Sequence, residues 1–196
     1  MAVSVKVRVP GTTANCGPGF DSVGIACTIY NEMQLTLHDR PGLEIKITGQ
    51  GAGIIPAEEK NIGYRAVREV LRLTGQEYPG IYIEMNNDIP LARGLGSSAA
   101  AIVAGLVAAN AATGNQLSSE YILDLATAME GHPDNVAPAI FGGVTVSMMH
   151  GEKPFSIKFL PPELLKLVVI VPDFGLSTRT ARQVLPQTVE FKDAVF

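Results

Sequence analysis

The sequence predicts an α+β fold, and three observations carry that prediction. Apolar and polar residues alternate in short stretches over the first fifty positions, helical spacing takes over from Asn61, and alternation returns after residue 143. Strands therefore come first, helices next and strands again, without the regular strand–helix alternation of a doubly wound sheet. With 196 residues, 46% of them hydrophobic and 17% charged, the chain can bury a sizeable core as one large or two small domains. Such a composition excludes an intrinsically disordered chain.

Taken in order, Val3, Val5, Val7 and Val9 alternate with Ser4, Lys6 and Arg8 and predict a half-buried strand. A polar, glycine-bearing loop is expected over 11–24. Met33, Leu35 and Leu37, then Leu43, Ile45 and Ile47, predict two more strands, joined by a turn at Arg40, Pro41 and Gly42. Ile62, Ala66, Val67, Val70, Leu71 and Leu73 share one helical face, capped by Asn61 and ended near Gly75. Ile81, Ile83 and Met85 make a further strand. An alanine-rich helix follows over 97–112, closed by Thr113, Gly114 and Asn115. Ser118 or Ser119 caps the next helix, with Ile122, Leu125, Ala126 and Met129 inward. Beyond Pro133, strands are expected at 144–148 and 155–160, and a buried apolar one at 167–171. A short helix around 177–185 is stopped by Pro186. The start of another at 188–196 ends without a cap or polar tail, so the pattern is expected to be either truncated or completed by a partner.

Several function classes drop out on composition. The net charge of −4 and the lack of any basic run argue against nucleic acid. No run of about 18 apolar residues exists, since Gly105, Asn110 and Thr113 break the stretch 98–114, so no membrane span is expected. The opening MAVSVKVRVP alternates instead of forming a secretory apolar core. Cys16 and Cys27 make neither a disulfide framework nor a zinc set, which fits reduced thiols and a cytoplasmic location.

Glycine is the outlier at 20 residues, gathered in loops between the patterned segments. Residues 90–100 read PLARGLGSSAA, directly before a helix. Two glycines let backbone amides crowd together, and Ser97 and Ser98 bring hydroxyls to the helix N-terminus. Free N–H groups and the positive dipole end suit phosphate there. A P-loop would need a lysine that is missing, and a dinucleotide fingerprint would need a strand where a second helix follows. A serine cap on a packed alanine helix also satisfies the spacing.

The same string resembles the second motif of the GHMP kinases, small-molecule kinases that act on galactose, homoserine, mevalonate and phosphomevalonate. All eleven positions match P-x-x-x-G-L-G-S-S-A-A. VPGTTANCGPGFDSVGIA at 9–26, EGHPDNVAPAIFGG at 130–143 and ARQVLP at 181–186 are similar to the homoserine-acting branch. Four motifs stand in family order across nearly the whole chain. The family's third motif, a glycine-rich loop further along, is not among them. The resemblance implies an N-terminal domain similar to ribosomal protein S5 domain 2 over 1–150. It also implies the start of a ferredoxin-like GHMP C-terminal domain over 151–196.

What the resemblance implies for chemistry is transfer of phosphate from ATP to the side-chain hydroxyl of L-homoserine, with Mg²⁺, for threonine biosynthesis. Pro90, Leu91, Ala92, Arg93, Gly94, Leu95, Gly96, Ser97, Ser98, Ala99 and Ala100 would surround the phosphates, and Asn61 would lie at the adenine as well as capping its helix. The Ser98 hydroxyl and the Glu130 carboxylate would hold Mg²⁺, which favours hard oxygen ligands. Without the family match, Glu130 reads as a surface acid. Asp21, with Asn15 alongside, would face the ammonium of homoserine; Arg182 and His132 would face its carboxylate. Arg93 either adds charge near the phosphates or sits in solvent, and Cys16 reads as a small inert filler. Asn135 stands where several relatives carry an aspartate base. It would orient the acceptor hydroxyl while the γ-phosphate or water takes the proton. Dimers are common in the family. Two other readings share these motifs: another GHMP small-molecule kinase, and a non-catalytic GHMP-fold protein that binds nucleotide or an amino acid.

Overall fold

The alternating valines form the first half of β1 (Val3–Asn15), which lies antiparallel along β2 (Gly19–His38) from Val3 opposite Leu37 to Asn15 opposite Gly19. The loop expected over 11–24 is thus the far end of a hairpin whose turn covers only three residues. Alternation is hard to see there because two irregularities, at Pro10/Thr12 and Ala14/Asn15, break the register, and because this end packs against polar site residues. The computed structural model describes residues 2–164, 166–170, 183–186 and 188–194.

β2 is the spine of the sheet. Its second edge pairs with β4 (Gly80–Asn87) over residues 31–38 and with β5 (Val144–His150) over 23–25. β3 (Gly42–Gly49) runs parallel to β4, and the crossover between them is α1 (Ile62–Thr74), a βαβ unit. β6 (Lys153–Phe159) closes the order β3-β4-β2-β5-β6. One sheet face is polar: Lys6 Nζ lies 2.8 Å from Glu32 Oε2 and Lys46 Nζ 3.5 Å from Glu84 Oε1. The other carries Met33, Leu35, Leu37 and Ile83, all buried beneath the helices.

α2 (Ser97–Ala112) is the central helix, buried on most of its circumference by α1, α3 (Ser119–Glu130), α4 (Pro133–Phe141) and the sheet. Small residues allow this. A Cβ on Gly105 would stand 2.3 Å from Gly63 O, so the two glycines set how closely α1 and α2 approach. α4 falls where no helix was expected. Pro133 occupies its first turn, where no N–H is needed, and Pro138 withdraws a donor from Asp134 O alone.

The predicted strands at 144–148 and 155–160 are β5 and β6, and one helical turn, α5 (Phe191–Ala194), lies within 188–196. The apolar segment at 167–171 departs from expectation. Its described residues form no strand, and Val168 and Ile170 are each 89% exposed. Among the described residues no strand pairs with it, and an unpaired strand cannot satisfy its backbone groups by burial. Most of the helix expected at 177–185, Arg182 included, lies outside the described residues.

Candidate active site

The site begins at the N-terminus of α2. Gly96 takes the N-cap position in the left-handed region (φ 66°), and no side chain caps the helix. The first helical bond runs from Ala100 N to Gly96 O at 2.8 Å, which leaves the amides of Ser97, Ser98 and Ala99 facing outward as a cationic pole. Ala99 and Ala100 have fully buried side chains, so of the predicted phosphate segment they contribute at most the Ala99 amide. Arg93 is half-buried, partly in contact with solvent. Its Nη1 donates to the carbonyls of Ala92 (3.2 Å) and Leu91 (3.4 Å), bracing the loop from within.

Two hollows meet at this helix end. A slot of about 240 Å³ has Ile55, Ile62, Met85, Leu91 and Ala101 as apolar walls, with the asparagines Asn31, Asn61 and Asn87 along its edge. It suits a flat heterocycle. Asn61 is buried and fully engaged: Oδ1 accepts from Tyr64 N at 3.1 Å, and Nδ2 donates to Pro56 O at 2.9 Å. A second cleft of about 440 Å³ shares Ala92, Ser97 and Ser98 with the slot. It also takes in Pro90, Gly94, Leu95, Asn15, Glu130, His132, Asp134 and Asn135.

Glu130 ends α3, and the Ser98 hydroxyl donates to its Oε2 at 2.9 Å, tying two helix ends together. Burial pushes the Glu130 carboxyl above its usual range, an effect that the Ser98 hydrogen bond and nearby His132 only partly offset. The exposed Ser98 hydroxyl and the partly buried Glu130 carboxylate offer hard oxygens of the kind that fits Mg²⁺. Among the described residues no third acid, His or Cys completes a protein-only set, so phosphate and water would supply the remainder.

Gly131, at φ 102°, turns the chain into His132, the N-cap of α4, and so sets Asp134 and Asn135 on that helix's first turn. His132 Nδ1 bonds the buried Asp134 carboxylate, and Asn135 Nδ2 lies 3.3 Å from the same Oδ1. The Asp134 hydrogen bond holds the His132 imidazole above its usual range, with Asp21 and Glu130 acting in the same direction, so it keeps positive charge to higher pH. Across the cleft, Asn15 Oδ1 accepts the amide of Asp21 at 2.9 Å, and both residues take positive φ in the hairpin end. Asn15 therefore shapes the backbone that presents Asp21. Cys16 is exposed at the tip, not packed as filler.

The structure brings together Asn15, residues of the 90–98 loop, Glu130, His132 and Asn135 around one cleft, with Asn61 in the adjoining slot; Asp21 does not line the cleft but is near enough for its charge to act on His132. Sequence reasoning gave no role to three residues that shape it. Thr12 is fully buried and donates to Asn135 Oδ1 at 2.9 Å. Asp134 anchors both His132 and Asn135. Gly24 lets α4 dock, since a Cβ there would fall 1.9 Å from Asp134 O. The glycine at 24 and the D-N pair were visible as motif letters, but their contacts join residues more than a hundred positions apart.

The class of protein that this fold and cleft resemble is the GHMP kinases: residues 61–143 match the GHMP kinases N terminal domain. Within that class the similarity runs to homoserine kinases. The chain is 49% identical over 97% of its length to homoserine kinase of Moorella thermoacetica, and 47% identical, also over 97%, to that of Carboxydothermus hydrogenoformans. The crystal structure of homoserine kinase from Cytophaga hutchinsonii superposes with a TM-score of 0.83 at 33% identity over 98% of this chain. The chain spans 64%, 62% and 63% of the lengths of these three proteins. Among the described residues no helix is long and apolar enough to cross a membrane.

Proposed function

We propose that this chain is the nucleotide-binding part of an ATP:L-homoserine phosphotransferase that makes O-phospho-L-homoserine for threonine synthesis. The observation that carries the reading is the hydroxyl–carboxylate pair of Ser98 and Glu130 at the uncapped N-terminus of α2, with Asn135 lining the same cleft. The similarity to homoserine kinases supports the choice of acceptor. On this reading residues 1–150 are the N-terminal domain and 151–196 begin the C-terminal one. The exposed apolar side chains Met148, Phe155, Ile157 and Phe159 on the β5–β6 hairpin are a surface suited to such further packing. Dimerisation and a cytoplasmic location are part of the same proposal.

Phosphoryl transfer needs charge neutralised and oxygens aligned more than it needs covalent help. The adenine enters the slot beside Asn61, and the amides of Ser97, Ser98 and Ala99 receive the phosphates. Ser98 and Glu130 would hold Mg²⁺, which when bound neutralises charge on the phosphate oxygens. Homoserine lies in the adjoining cleft with its ammonium toward Asp21 and its carboxylate toward protonated His132 and Arg182. Asn135 orients the hydroxyl. That oxygen bonds to the γ-phosphorus as the bond to the bridging oxygen of ADP breaks, and the proton passes to a γ-phosphate oxygen or water.

ADP release with Mg-ATP tests the proposal, using L-homoserine against mevalonate, galactose and shikimate, in this chain and in the full-length product of its gene. Homoserine-dependent turnover is the expected result. Turnover with another acceptor alone, or nucleotide binding without turnover in either form, would overturn it.

A further inference from the structure

Behind the acceptor cleft lies a hydrogen-bonded interlock that the motifs do not explain. Thr12 is fully buried, does not line the cleft, and donates through Oγ1 to Asn135 Oδ1 at 2.9 Å. Its amide donates to Leu95 O at 3.0 Å, so one residue joins β1, the phosphate-side loop and the first turn of α4. Gly96 closes over the hydroxyl, for a Cβ there would stand 2.1 Å from Thr12 Oγ1 and 3.1 Å from Asn135 Oδ1. The orientation of the Asn135 amide follows from its two neighbours. Nδ2, at 3.3 Å from the Asp134 carboxylate oxygen, must be the donor end, because an amide oxygen there would repel the carboxylate. Oδ1 then faces the threonine O–H, whose burial leaves it no water to bond instead.

We infer that Thr12 is a positioning residue: by donating to Asn135 Oδ1 from the buried side it fixes the orientation of the amide, so that Asn135 offers a ligand in the cleft its second Nδ2 hydrogen. The inference rests on the proposed reading of the cleft and sharpens one step of it. The acceptor's hydroxyl oxygen receives a hydrogen bond from Asn135 and cannot pass its proton back to that amide. Its own O–H is left to point at a phosphate oxygen.

The test is a double-mutant cycle of Thr12→Val with Asn135→Ala, plus Thr12→Ser, in the full-length gene product with Mg-ATP and homoserine. Thr12→Val should lower kcat about tenfold, with the KM for homoserine changed less than about twofold, as expected for one lost orienting hydrogen bond. Thr12→Ser should recover most of the loss, and Thr12→Val should cost nothing further once Asn135 is alanine. An equal loss in both backgrounds, or none in either, overturns the inference. The Asn135 side-chain amide gives a readout that does not depend on the acceptor. Its NMR signals should be sharp and slow to exchange in the wild type and in Thr12→Ser, but broadened or fast-exchanging in Thr12→Val. Signals unchanged by Thr12→Val defeat the interlock even if homoserine is the wrong substrate. Absence of turnover in the wild type, with the amide behaving as predicted, defeats the homoserine reading alone.

Discussion

The two ends of the cleft are built from different materials. At the end proposed for the nucleotide, recognition would fall to backbone: the outward amides of α2, a left-handed glycine at its cap, and an asparagine whose own polar atoms are already engaged. At the end proposed for the acceptor it would fall to side chains wired in series, from Thr12 through Asn135 and Asp134 to His132. A backbone site is indifferent to most side-chain changes and sensitive to added bulk. A wired site is sensitive to the loss of single atoms and to the charge state of its members.

Glu130 stands where the two ends meet, and its replacement has the largest expected effect. Glu130→Gln should lower turnover by about 10³-fold, since it takes away the anionic ligand offered to Mg²⁺. The same change should raise stability. A carboxyl held above its usual value destabilises the fold once ionised, so stability is greatest where Glu130 is protonated and falls as pH rises from about 4.5 through the raised value. At pH 7 the variant should melt higher than the wild type, an advantage that vanishes below pH 4 by calorimetry. A variant both inactive and less stable would break the comparison.

Next in size is Gly24→Ala. The added methyl would meet the Asp134 carbonyl and force β2 and α4 apart, with a loss of about 3 kcal/mol by denaturant unfolding. It should weaken homoserine binding more than nucleotide binding, because only the acceptor end rides on α4. Equal losses of both would mean the two ends are not separable.

Asn61→Ala probes the other end. It removes the α1 cap and the bond to Pro56 O, for a loss of about 1–2 kcal/mol, and loosens nucleotide affinity with the homoserine KM unchanged. The smallest effect concerns His132. Its raised value means that the stability from its pairing with Asp134 is fully present below pH 6.5 and is lost as pH rises through the higher folded-state value. Stability measured across that window should decline in the wild type and stay flatter in His132→Gln.

The same contrast explains what could be read from the sequence. The phosphate loop is local: eleven consecutive residues carry the glycines, the serines and the helix start, so the chain order itself displays the site. Asn61 announced its helix as a cap for the same reason, whereas its place beside the slot was implied only by the family resemblance. The acceptor end is non-local. Thr12 meets Asn135 across 123 positions, and Gly24 meets Asp134 across more than a hundred, so neither contact leaves a periodic signal. The hairpin end at 11–24 looked like a loop because its residues are small and polar, chosen for contacts in the cleft instead of a pleated apolar face. α4 was hidden by its two prolines, one harmless in the first turn and one removing a single donor. The segment at 167–170 reads as a buried strand by composition, and composition cannot supply the neighbour that a strand requires.

The central claim is that phosphate from a nucleotide in the backbone-built end reaches a hydroxyl held in the wired end. Phosphorus NMR of the products formed from Mg-ATP and L-homoserine by the full-length gene product tests it most directly. The account predicts ADP together with one new phosphomonoester signal that couples to the terminal methylene of homoserine. ADP with free phosphate and no such signal, or a phosphoester that forms only with a different acceptor, would contradict it.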